Sequence, residues 1–577
     1  MRGRFFLLLA GGALLLLSAE TPKTILDLQQ FRQTNASPVR SGQGREGTAT
    51  LVNLNPAINV WYLLQITWKD GAPQTAWHLE NPHPHEAKLL LDQKYPAGLV
   101  IAEGQNRFRC DLFGGGSPGV LEQGRSSPFI YYPLCDGRLY LRNPAKGSRT
   151  ALEATTEFLR DHVWGGEKVI GVFHNLLGER YRETAELRDQ TPGTAHSAEA
   201  TLDERPLPAL IDPQYAARRV ASPSLGIALA SADAEKNGLI PGEWYAAAGN
   251  PGVFVSLMEL AFVAPAILQG YRNLANNPDK IEASSLCYLV AFDLDQLAVG
   301  YALGTEHPRV DWSDRVTGLM RNAALPGPDG IGDIEPLIST GLIRPDDGRK
   351  TVAAFTAGFK RNHGAFKSGA LALRNSGSHY GFIQDGVVFS TLQPGLATVF
   401  VLDDNSVGMK TWIEADNILL NKIKYARQNG VSLVEFDERA GVTIPGPLVA
   451  RWSQGNWSGS VDENLRTLRA GAAMQSNHGK HFLIYAVFSD GTPSAMARVF
   501  QAYRTSYAML LDMNALEHTY LAVYRRAGAE MSVDHLLKGM SVLDKSGSGD
   551  AVPRFLGYPD NRDFFYMMRR EAKVGKP

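Results

Sequence analysis

The chain has 577 residues, of which 44% are hydrophobic and 20% are charged. This composition is that of a globular protein, and it excludes a wholly disordered, collagen-like or multi-span membrane protein. The 58 Lys and Arg residues balance 59 Asp and Glu residues, so net charge gives no reason to expect a nucleic acid or an anionic membrane surface as partner.

The first 20 residues have the order of a secretory signal peptide. Arg2 and Arg4 precede an apolar run over 5–17, and the small residues Ser18 and Ala19 follow it. The run is shorter than the roughly 20 apolar residues that a membrane-spanning helix needs. We therefore expect a signal peptide at 1–19 and a mature periplasmic or secreted chain without a membrane span, with an uncleaved N-terminal anchor as the alternative.

The next two segments differ in texture. Residues 20–46 are polar and predict an irregular N-terminal segment. Residues 47–175 predict a β-rich module that resembles a β-sandwich, because short β-prone runs alternate with turn signals. The predicted strands cover 48–53, 58–68, 98–103 and 138–142, and a helix is predicted at 150–162.

The three cysteines are interpreted through the expected export. Cys110 and Cys135 lie in the same strand-rich module, and an oxidising compartment favours a disulfide between them. Cys287 lies in an apolar stretch and is expected to be a buried free thiol. None of the three has metal-ligand spacing, so no metal site is expected from them.

The remaining segments complete an α+β protein. Residues 176–212, rich in Glu, Arg, Thr and Pro, predict a linker or an exposed excursion. Residues 213–283 predict a helical segment, and its apolar stretch 253–269 is expected to be a buried helix rather than a membrane span because of its length and its charged Glu259. Residues 284–530 predict a mixed α+β domain, and 531–577 a C-terminal extension. The strands of that domain are expected at 286–292, 351–359, 398–403, 433–436, 482–488, 507–512 and 519–524, and its best-defined helix at 494–503.

Several short motifs in this domain occur together in one order. They are Val352-Ala-Ala-Phe-Thr-Ala-Gly-Phe-Lys360, Gly381-Phe-Ile-Gln-Asp-Gly386, Leu468-Arg-Ala-Gly471, Ser489-Asp-Gly-Thr492 and Tyr507-Ala-Met-Leu-Leu-Asp-Met-Asn514. This ordered set resembles the phosphodiester glycosidase family, which includes the enzyme that removes N-acetylglucosamine from phosphodiester-capped mannose. The resemblance covers roughly residues 285–526 and implies that the domain hydrolyses a sugar 1-phosphodiester or a related glycan.

The chain departs from the family pattern at two places. Thr356 stands where the family usually has Asn, and Ala357 where it has Gly, while Gly358 is retained. The run 513–516 replaces a Gly-Gly-Gly-Ser turn of the kind that lets the backbone approach a ligand closely. These differences leave open a domain that binds a glycan without cleaving it.

The chemistry of a sugar 1-phosphodiester indicates which residue types to seek. Phosphate is a good leaving group, so the site must hold an anion and stabilise an oxocarbenium-like centre. Arg469 matches the family's arginine and is the phosphate candidate, with a surface ion pair as the alternative. Asp512 ends an apolar strand and is the carboxylate candidate, and Asn514 follows it, although both residues are also common in turns.

The other candidate substrate-binding residues have weaker support. Thr356, Gly358, Lys360 and His363 lie in or after one predicted strand, where a solvated loop is the alternative. Glu435 alternates with Asp437 as a paired carboxylate, but a solvated strand face is the favoured explanation of both.

Trp457 belongs to the Gly- and Asn-containing run 452–457 and is a candidate platform for stacking against a sugar, although a packed aromatic is the alternative. No cofactor is expected, since the chain has no Walker loop, GxSxG elbow or HExxH helix. The leading hypothesis is an exported hydrolase with a glycan or sugar-phosphate substrate. The alternatives are a non-catalytic glycan-binding or envelope protein and a structural partner protein.

Overall fold

The architecture is known from a computed structural model of the chain. It describes residues 24–114, 119–149, 154, 186–189, 204–306, 316–321, 329–360, 364–366, 369–374, 380–454, 466–528, 530–546 and 551–570. About 18% of the chain is helix and 41% is strand, in several antiparallel sheets, so the predicted α+β class is confirmed. The expected signal peptide, the helix at 150–162 and most of the expected linker lie outside the described residues.

The N-terminal module is built from two sheets. Its strands are β1 (Gln33–Arg40), β2 (Glu46–Asn53), β3 (Trp61–Trp68), β4 (Thr75–Glu80), β5 (Ala87–Leu90), β6 (Gly98–Glu103), β7 (Asn106–Asp111), β8 (Tyr131–Leu134) and β9 (Leu139–Arg142). Sheet A has the order β1-β2-β3-β4-β9-β8, and the second sheet has the order β5-β6-β7. Leu64 of sheet A and Ile101 of the second sheet belong to one buried core, which is the arrangement of a β-sandwich.

The predicted disulfide is present in this module. Cys110 of β7 is bonded to Cys135 in the turn after β8, with their Cα atoms 5.6 Å apart. Cys287 is a buried free thiol, as expected. Burial alone raises the pKa of the Cys287 thiol well above its usual value.

The prediction that the segment 20–46 is irregular is wrong for much of its described part. Ile25–Leu28 form a 3-10 helix and Gln33–Arg40 form β1. Only Ser37 and Val39 of β1 are buried, because it is the edge strand of sheet A and most of its side chains face solvent. An edge strand of this kind lacks the apolar alternation by which strands are detected in a sequence.

The rest of the described chain contributes twenty-two strands. They are β10 (Glu186–Asp189), β11 (Arg218–Ala221), β12 (Tyr245–Ala246), β13 (Val253–Glu259), β14 (Leu286–Asp293), β15 (Leu297–Ala302), β16 (Thr351–Thr356), β17 (Phe382–Gln384), β18 (Val387–Ser390), β19 (Ala397–Leu402), β20 (Val407–Thr411), β21 (Ile423–Gln428), β22 (Ser432–Asp437), β23 (Val442–Pro445), β24 (Thr467–Asn477), β25 (Lys480–Gly491), β26 (Tyr507–Met513), β27 (Leu521–Ala527), β28 (Glu530–His535), β29 (Lys545–Ser546), β30 (Ala551–Val552) and β31 (Phe564–Arg569).

Three large sheets organise these strands. Sheet B has the order β12-β13-β14-β25-β24-β26-β22-β23, sheet C the order β15-β31-β16-β27-β28, and sheet D the order β18-β17-β21-β19-β20. Sheets B and C share a core: the ring of Phe355 on β16 lies 4.7 Å from that of Tyr485 on β25 and 5.9 Å from that of Phe292 on β14. The end of β16 is therefore held against β14 and β25 of sheet B.

The helices are short. They are α1 (Val120–Arg125), α2 (Ala232–Asn237), α3 (Pro265–Gln269), α4 (Lys280–Ala283), α5 (Pro345–Lys350), α6 (Gly369–Arg374) and α7 (Pro493–Ala502). Further 3-10 turns cover Pro213–Tyr215, Leu260–Phe262, Gly318–Met320, Glu414–Lys422, Val449–Gln454, Leu516–His518 and Lys538–Leu543. In the described ranges no helix combines the length and apolar character needed to cross a membrane.

Two predicted segments are organised differently from the prediction. The apolar stretch 253–269, expected as one buried helix, begins instead with β13, and all seven residues of Val253–Glu259 are buried and paired to β14. Only its end is helical, in the 3-10 turn Leu260–Phe262 and the helix α3. A fully buried strand is apolar on both faces, so its sequence has no two-residue alternation to distinguish it from a buried helix. The predicted C-terminal extension supplies β31, which lies between β15 and β16 inside sheet C.

Candidate functional site

Asp512 lies at the carboxyl end of β26 and is almost completely buried, with 3% of its surface exposed. Its Oδ2 atom accepts a hydrogen bond from Nη1 of Arg562 at 2.5 Å, and Oδ1 accepts one from the Met513 amide at 2.8 Å. Burial raises the pKa of Asp512 to about 6, although the charge of Arg562 opposes this shift. A carboxylate in this position is poised to exchange a proton near neutral pH.

His518 continues the cluster on the other side of Arg562. Nη2 of Arg562 lies 2.7 Å from Nε2 of His518, while Nδ1 of His518 lies 2.7 Å from the Met513 carbonyl oxygen. Since a carbonyl only accepts, Nδ1 carries the proton, and Nε2 accepts from the arginine. The guanidinium thus bridges a carboxylate and a neutral imidazole. We call the five residues Asp512, Arg562, His518, Thr356 and Tyr485 the Asp512 cluster.

Thr356 brings the end of β16 into this cluster. Its hydroxyl donates to the His518 carbonyl at 2.8 Å and lies 3.5 Å from the Tyr485 hydroxyl. Burial is the main reason that the pKa of Tyr485 is raised, and the Asp512 charge adds to it. Thr356, which stands where the family usually has Asn, therefore stabilises the turn that carries His518.

A second buried ion pair lies directly behind the cluster. Nε of Arg427 donates to Oδ2 of Asp563 at 2.8 Å, and the Tyr301 hydroxyl donates to the same oxygen at 2.8 Å. Asp563 follows Arg562 in the chain and leads into β31. The two ion pairs thus fix the short segment before β31 against sheets B and D.

Gly358 is required by the close approach of this second pair. It has φ +155°, and a Cβ atom there would lie 3.0 Å from Oδ1 of Asn429 and 3.1 Å from the Arg427 guanidinium. The Asn429 amide in turn donates to the carbonyls of Leu510 and Leu511 on β26, at 2.7 and 2.6 Å. The absence of a side chain at Gly358 therefore leaves room for Asn429, which connects the end of β16 to β26.

Lys360 is also buried and paired. Its Nζ donates to Oε2 of Glu306 at 2.9 Å, and Glu306 also forms an ion pair with Arg149. Burial raises the pKa of Glu306, but the charges and hydrogen bonds of Lys360 and Arg149 outweigh it and leave that pKa below its usual value. Lys360 is thus held by a carboxylate, and the solvated loop considered from the sequence is excluded at this residue.

Arg469 is not brought to Asp512. It lies opposite Met513 in the ladder between β24 and β26, and its guanidinium contacts the Met513 Sδ atom at 3.0 Å and the Gly491 carbonyl at 2.6 Å. Met513 and Asp512 are consecutive strand residues, so their side chains point to opposite faces of the sheet. Burial lowers the pKa of Arg469 to about 9, and the surface ion pair considered from the sequence is excluded because Arg469 is fully buried.

Glu435 and Asp437 are also distant from the cluster. Glu435 on β22 lies opposite Tyr507, the first residue of β26, and accepts a hydrogen bond from the Thr411 hydroxyl at 2.8 Å. Asp512 is five residues further along β26, which is roughly 17 Å at the usual rise of a strand. Asp437 is the last residue of β22, and its carboxylate accepts a hydrogen bond from the Arg439 amide in the following turn.

Asn514 remains near the cluster. It has φ +83°, a left-handed conformation that Asn tolerates better than most residues. Its backbone N–H donates a hydrogen bond to the Leu468 carbonyl at 2.7 Å. Asn514 and His518 are half-buried, so they form the more accessible side of the cluster. His363 and Trp457, the two other substrate-binding candidates, lie outside the described residues.

Sequence reasoning missed Arg562 and His518. The one available signal was the polar run Asp560-Asn-Arg-Asp563, directly before the apolar strand β31. It shows a change from polar to apolar residues at a strand start, but not which strand end it meets. Across the described ranges no group of three or more His, Cys, Asp or Glu side chains is placed to hold a metal ion.

Comparisons with known proteins give weak similarities. No protein-family model and no curated protein sequence matches the chain. The zebrafish N-acetylglucosamine-1-phosphodiester alpha-N-acetylglucosaminidase catalytic domain, auto-inhibited by its pro-peptide, aligns at 11% identity and a TM-score of 0.28, over 56% of this chain and 85% of that chain. A hypothetical protein from Synechocystis aligns at 10% identity and a TM-score of 0.27, over 88% of this chain and 97% of that chain. Similarities this weak carry no argument about activity.

Proposed function

We propose that the chain is an exported hydrolase that cleaves a sugar 1-phosphodiester or a related envelope or extracellular glycan at the Asp512 cluster. The observation that carries this proposal is the Asp512 carboxylate, which is desolvated, paired with Arg562 and has its pKa raised to about 6. Strongly perturbed carboxylates beside an arginine and a histidine are common at catalytic sites. The ordered motifs of residues 285–526 suggest the substrate class.

The proposed reaction needs few groups. Water attacks the anomeric carbon, a bond forms between that carbon and the water oxygen, and the bond from the carbon to the phosphate oxygen breaks. The electron pair leaves with the phosphate, and the water proton passes to Asp512, which is mostly ionised above about pH 6. The negative charge of the ionised carboxylate also stabilises an oxocarbenium-like centre.

Arg562 replaces Arg469 as the proposed phosphate-binding residue. Its guanidinium lies on the same side of β26 as Asp512, and a planar guanidinium suits phosphate oxygens. His518 holds one edge of that guanidinium and is half-buried, so a substrate approaching from its side meets Arg562 and Asp512 together. Thr356 acts as a positioning residue, because its hydroxyl holds the His518 backbone.

A non-catalytic glycan-binding protein is the second candidate, and one observation favours it. Both oxygens of Asp512 already accept hydrogen bonds, one from Arg562 and one from Met513. A carboxylate held in this way can be a structural member of a buried ion pair rather than a base. Thr356 in place of the family's usual Asn is as compatible with a non-catalytic glycan-binding protein as with a hydrolase.

The decisive experiment measures sugar release from a panel of sugar 1-phosphodiesters by the purified mature chain. Asp512→Asn should reduce kcat/KM by about a hundredfold or more, which is typical for loss of a proton-transferring group. Asp534→Asn is the matched control, since Asp534 also pairs with an arginine, Arg525 at 2.8 Å, but on the far strand of sheet C. Glycan binding without release from any member of the panel favours the second candidate.

Export is tested separately. The N-terminal sequence of the chain purified from the extracytoplasmic fraction of an expressing bacterium should begin near Glu20. Replacing the apolar residues Leu7, Leu8 and Leu9 by Asn should retain the chain in the cytoplasm. A chain that keeps Arg2 and Arg4 and sediments with membranes supports the uncleaved anchor instead.

A further inference from the structure

A cavity of about 140 Å³ lies where the N-terminal module meets the rest of the chain. The module contributes six of the ten lining residues, and the others come from Arg344, from the first turn of α5 and from strand β21. The residues used below are Glu80, Pro82, Pro84, Tyr140, Arg344 and Lys424. None of them belongs to the Asp512 cluster.

The two parts are firmly docked around this cavity. The Gln29 side chain donates to the Val388 carbonyl at 2.6 Å and accepts from the Val388 amide at 2.9 Å. The Asn55 amide donates to the Gly386 carbonyl at 3.1 Å, and a Cβ atom at Gly386 would lie 2.5 Å from Ile58. The cavity is therefore pre-formed, as ligand sites usually are.

Glu80 presents an incompletely satisfied carboxylate to this cavity. It is 1% exposed, and its Oε2 accepts from the Trp61 indole at 2.9 Å and pairs with Arg142 at 3.2 Å. Its Oε1 is buried without a hydrogen bond from any described residue, and Nε of Arg344 lies 3.6 Å from it. Buried carboxylate oxygens rarely remain without a donor, so a ligand or water is expected to supply one.

Lys424 presents a donor to the same cavity. Among the described residues its Nζ forms no hydrogen bond, and it lies 5.2 Å from the centroid of the Tyr425 ring. Burial, and then the neighbouring Arg344 charge, lowers the pKa of Lys424. An unoccupied acceptor and an unoccupied donor thus line the same small space.

We propose that this cavity binds one neutral sugar ring, with hydroxyl groups that donate to Glu80 and accept from Lys424. Charge favours a neutral ligand, because the charged groups in and around the cavity balance. They are the carboxylates Glu80, Asp346, Asp347 and Asp385 and the cations Arg142, Arg344, Arg349 and Lys424.

Shape and size point to the same ligand class. The rings of Pro82, Pro84 and Tyr140 give the cavity apolar surface against which the C–H face of a sugar ring can pack. Burial, and then the charge of the neighbouring Asp346 carboxylate, raises the pKa of Tyr140. The volume is below the roughly 300–1,000 Å³ of pockets for drug-sized ligands, so a single ring is expected rather than an oligosaccharide.

Calorimetry on the full mature chain tests this proposal. The probes are the methyl glycosides of glucose, galactose, mannose, N-acetylglucosamine and glucuronic acid. At least one neutral glycoside should bind, and Lys424→Met and Tyr140→Ala should each weaken that binding by about tenfold or more, which corresponds to roughly 1.4 kcal/mol. The control Lys410→Met, which removes a half-exposed lysine of sheet D paired with Asp416, should leave it unchanged.

Each other outcome overturns the proposal. Absence of binding to every probe removes the sugar site. Binding that Lys424→Met and Tyr140→Ala leave unchanged places the ligand elsewhere, the Asp512 cluster included. A clear preference for the glucuronide over the methyl glucoside contradicts a neutral ligand. Thermal unfolding of each variant separates lost binding from lost folding, and loss of binding in the folded chain does not bear on hydrolysis at Asp512.

Discussion

Arg562 and Asp512 are 50 residues apart in the chain, yet Nη1 of the arginine lies 2.5 Å from Oδ2 of the aspartate. The pair joins the end of β26 in sheet B to the segment that leads into β31 of sheet C. Both side chains are almost fully buried, with 2% and 5% of their side-chain surfaces exposed. The ion pair therefore connects the two sheets at the place where the candidate site lies.

Asp512 should make the stability of the chain depend on pH. Burial holds its pKa at about 6 in the folded chain, above the 3.8 of an unfolded one, so the folded chain binds this proton more tightly. The free energy of unfolding should then fall as pH rises from about 4 through about 6. Asp512→Asn cannot titrate, so the stability difference between variant and wild type should change by on the order of 3 kcal/mol over that window.

Urea unfolding of both proteins at several pH values measures this difference. Asp534→Asn is again the control for removing an arginine-paired carboxylate elsewhere, since it leaves Asp512 in place. A difference between Asp512→Asn and wild type that does not change with pH would show that Asp512 titrates at its ordinary value.

Much of the sheet structure could be predicted from the sequence, because local patterns determine it. The disulfide, the helix α7 and the strands β6, β14 and β26 all lie at or within a few residues of their predicted positions. The prediction of a buried helix at the position of β13 was wrong, because a strand buried on both faces has no alternation of apolar and polar residues. β31 was treated as an extension because only tertiary pairing places it inside sheet C.

The candidate site was harder to predict, for a related reason. Asp512 was proposed from its position at a strand end, which is a local property, together with the family resemblance. Arg562 was missed and Arg469 was chosen, because the register that pairs Arg469 with Met513 instead of Asp512 is not visible in a sequence. A shift of one residue along a strand moves a side chain to the other face.

Arg562 should not be replaceable by lysine. A guanidinium reaches Asp512 with one nitrogen and His518 with another, whereas an ammonium is a single point of charge on a flexible stem. Arg562→Lys should lower kcat/KM for the phosphodiester by about tenfold or more and destabilise the fold by about 1–3 kcal/mol, the cost of an unmade buried hydrogen bond. Arg525→Lys, at the part-exposed pair with Asp534, should change neither quantity appreciably. Full activity of Arg562→Lys would exclude the bridging role.

Gly358 should tolerate no side chain. Gly358→Ala forces a Cβ atom to within 3.0 Å of Asn429 and strains the backbone at φ +155°. Gly479→Ala is the matched control, because Gly479 also has a positive φ of +83° but open space around it. We expect Gly358→Ala to lower the unfolding free energy by about 1–3 kcal/mol more than Gly479→Ala does. Equal effects of the two substitutions in urea unfolding would mean that Asn429 moves aside without cost.

The disulfide should stabilise the N-terminal module rather than the candidate site. It closes a loop with a sequence separation of 25 residues, and Cys110 lies in the core of that module. Replacing both Cys110 and Cys135 by Ser should destabilise the module by about 2–4 kcal/mol, since the unfolded chain regains the freedom of that loop.

Hydrogen exchange measures this destabilisation locally. Amides of β6 and β7 should exchange faster, while those of β26 should keep their protection because they lie in sheet B. Cys287→Ser tests a buried thiol without a crosslink, and faster exchange spreading from β14 is expected there instead. If loss of the disulfide exposed β26 as strongly as β7, the two parts of the chain would unfold as one unit.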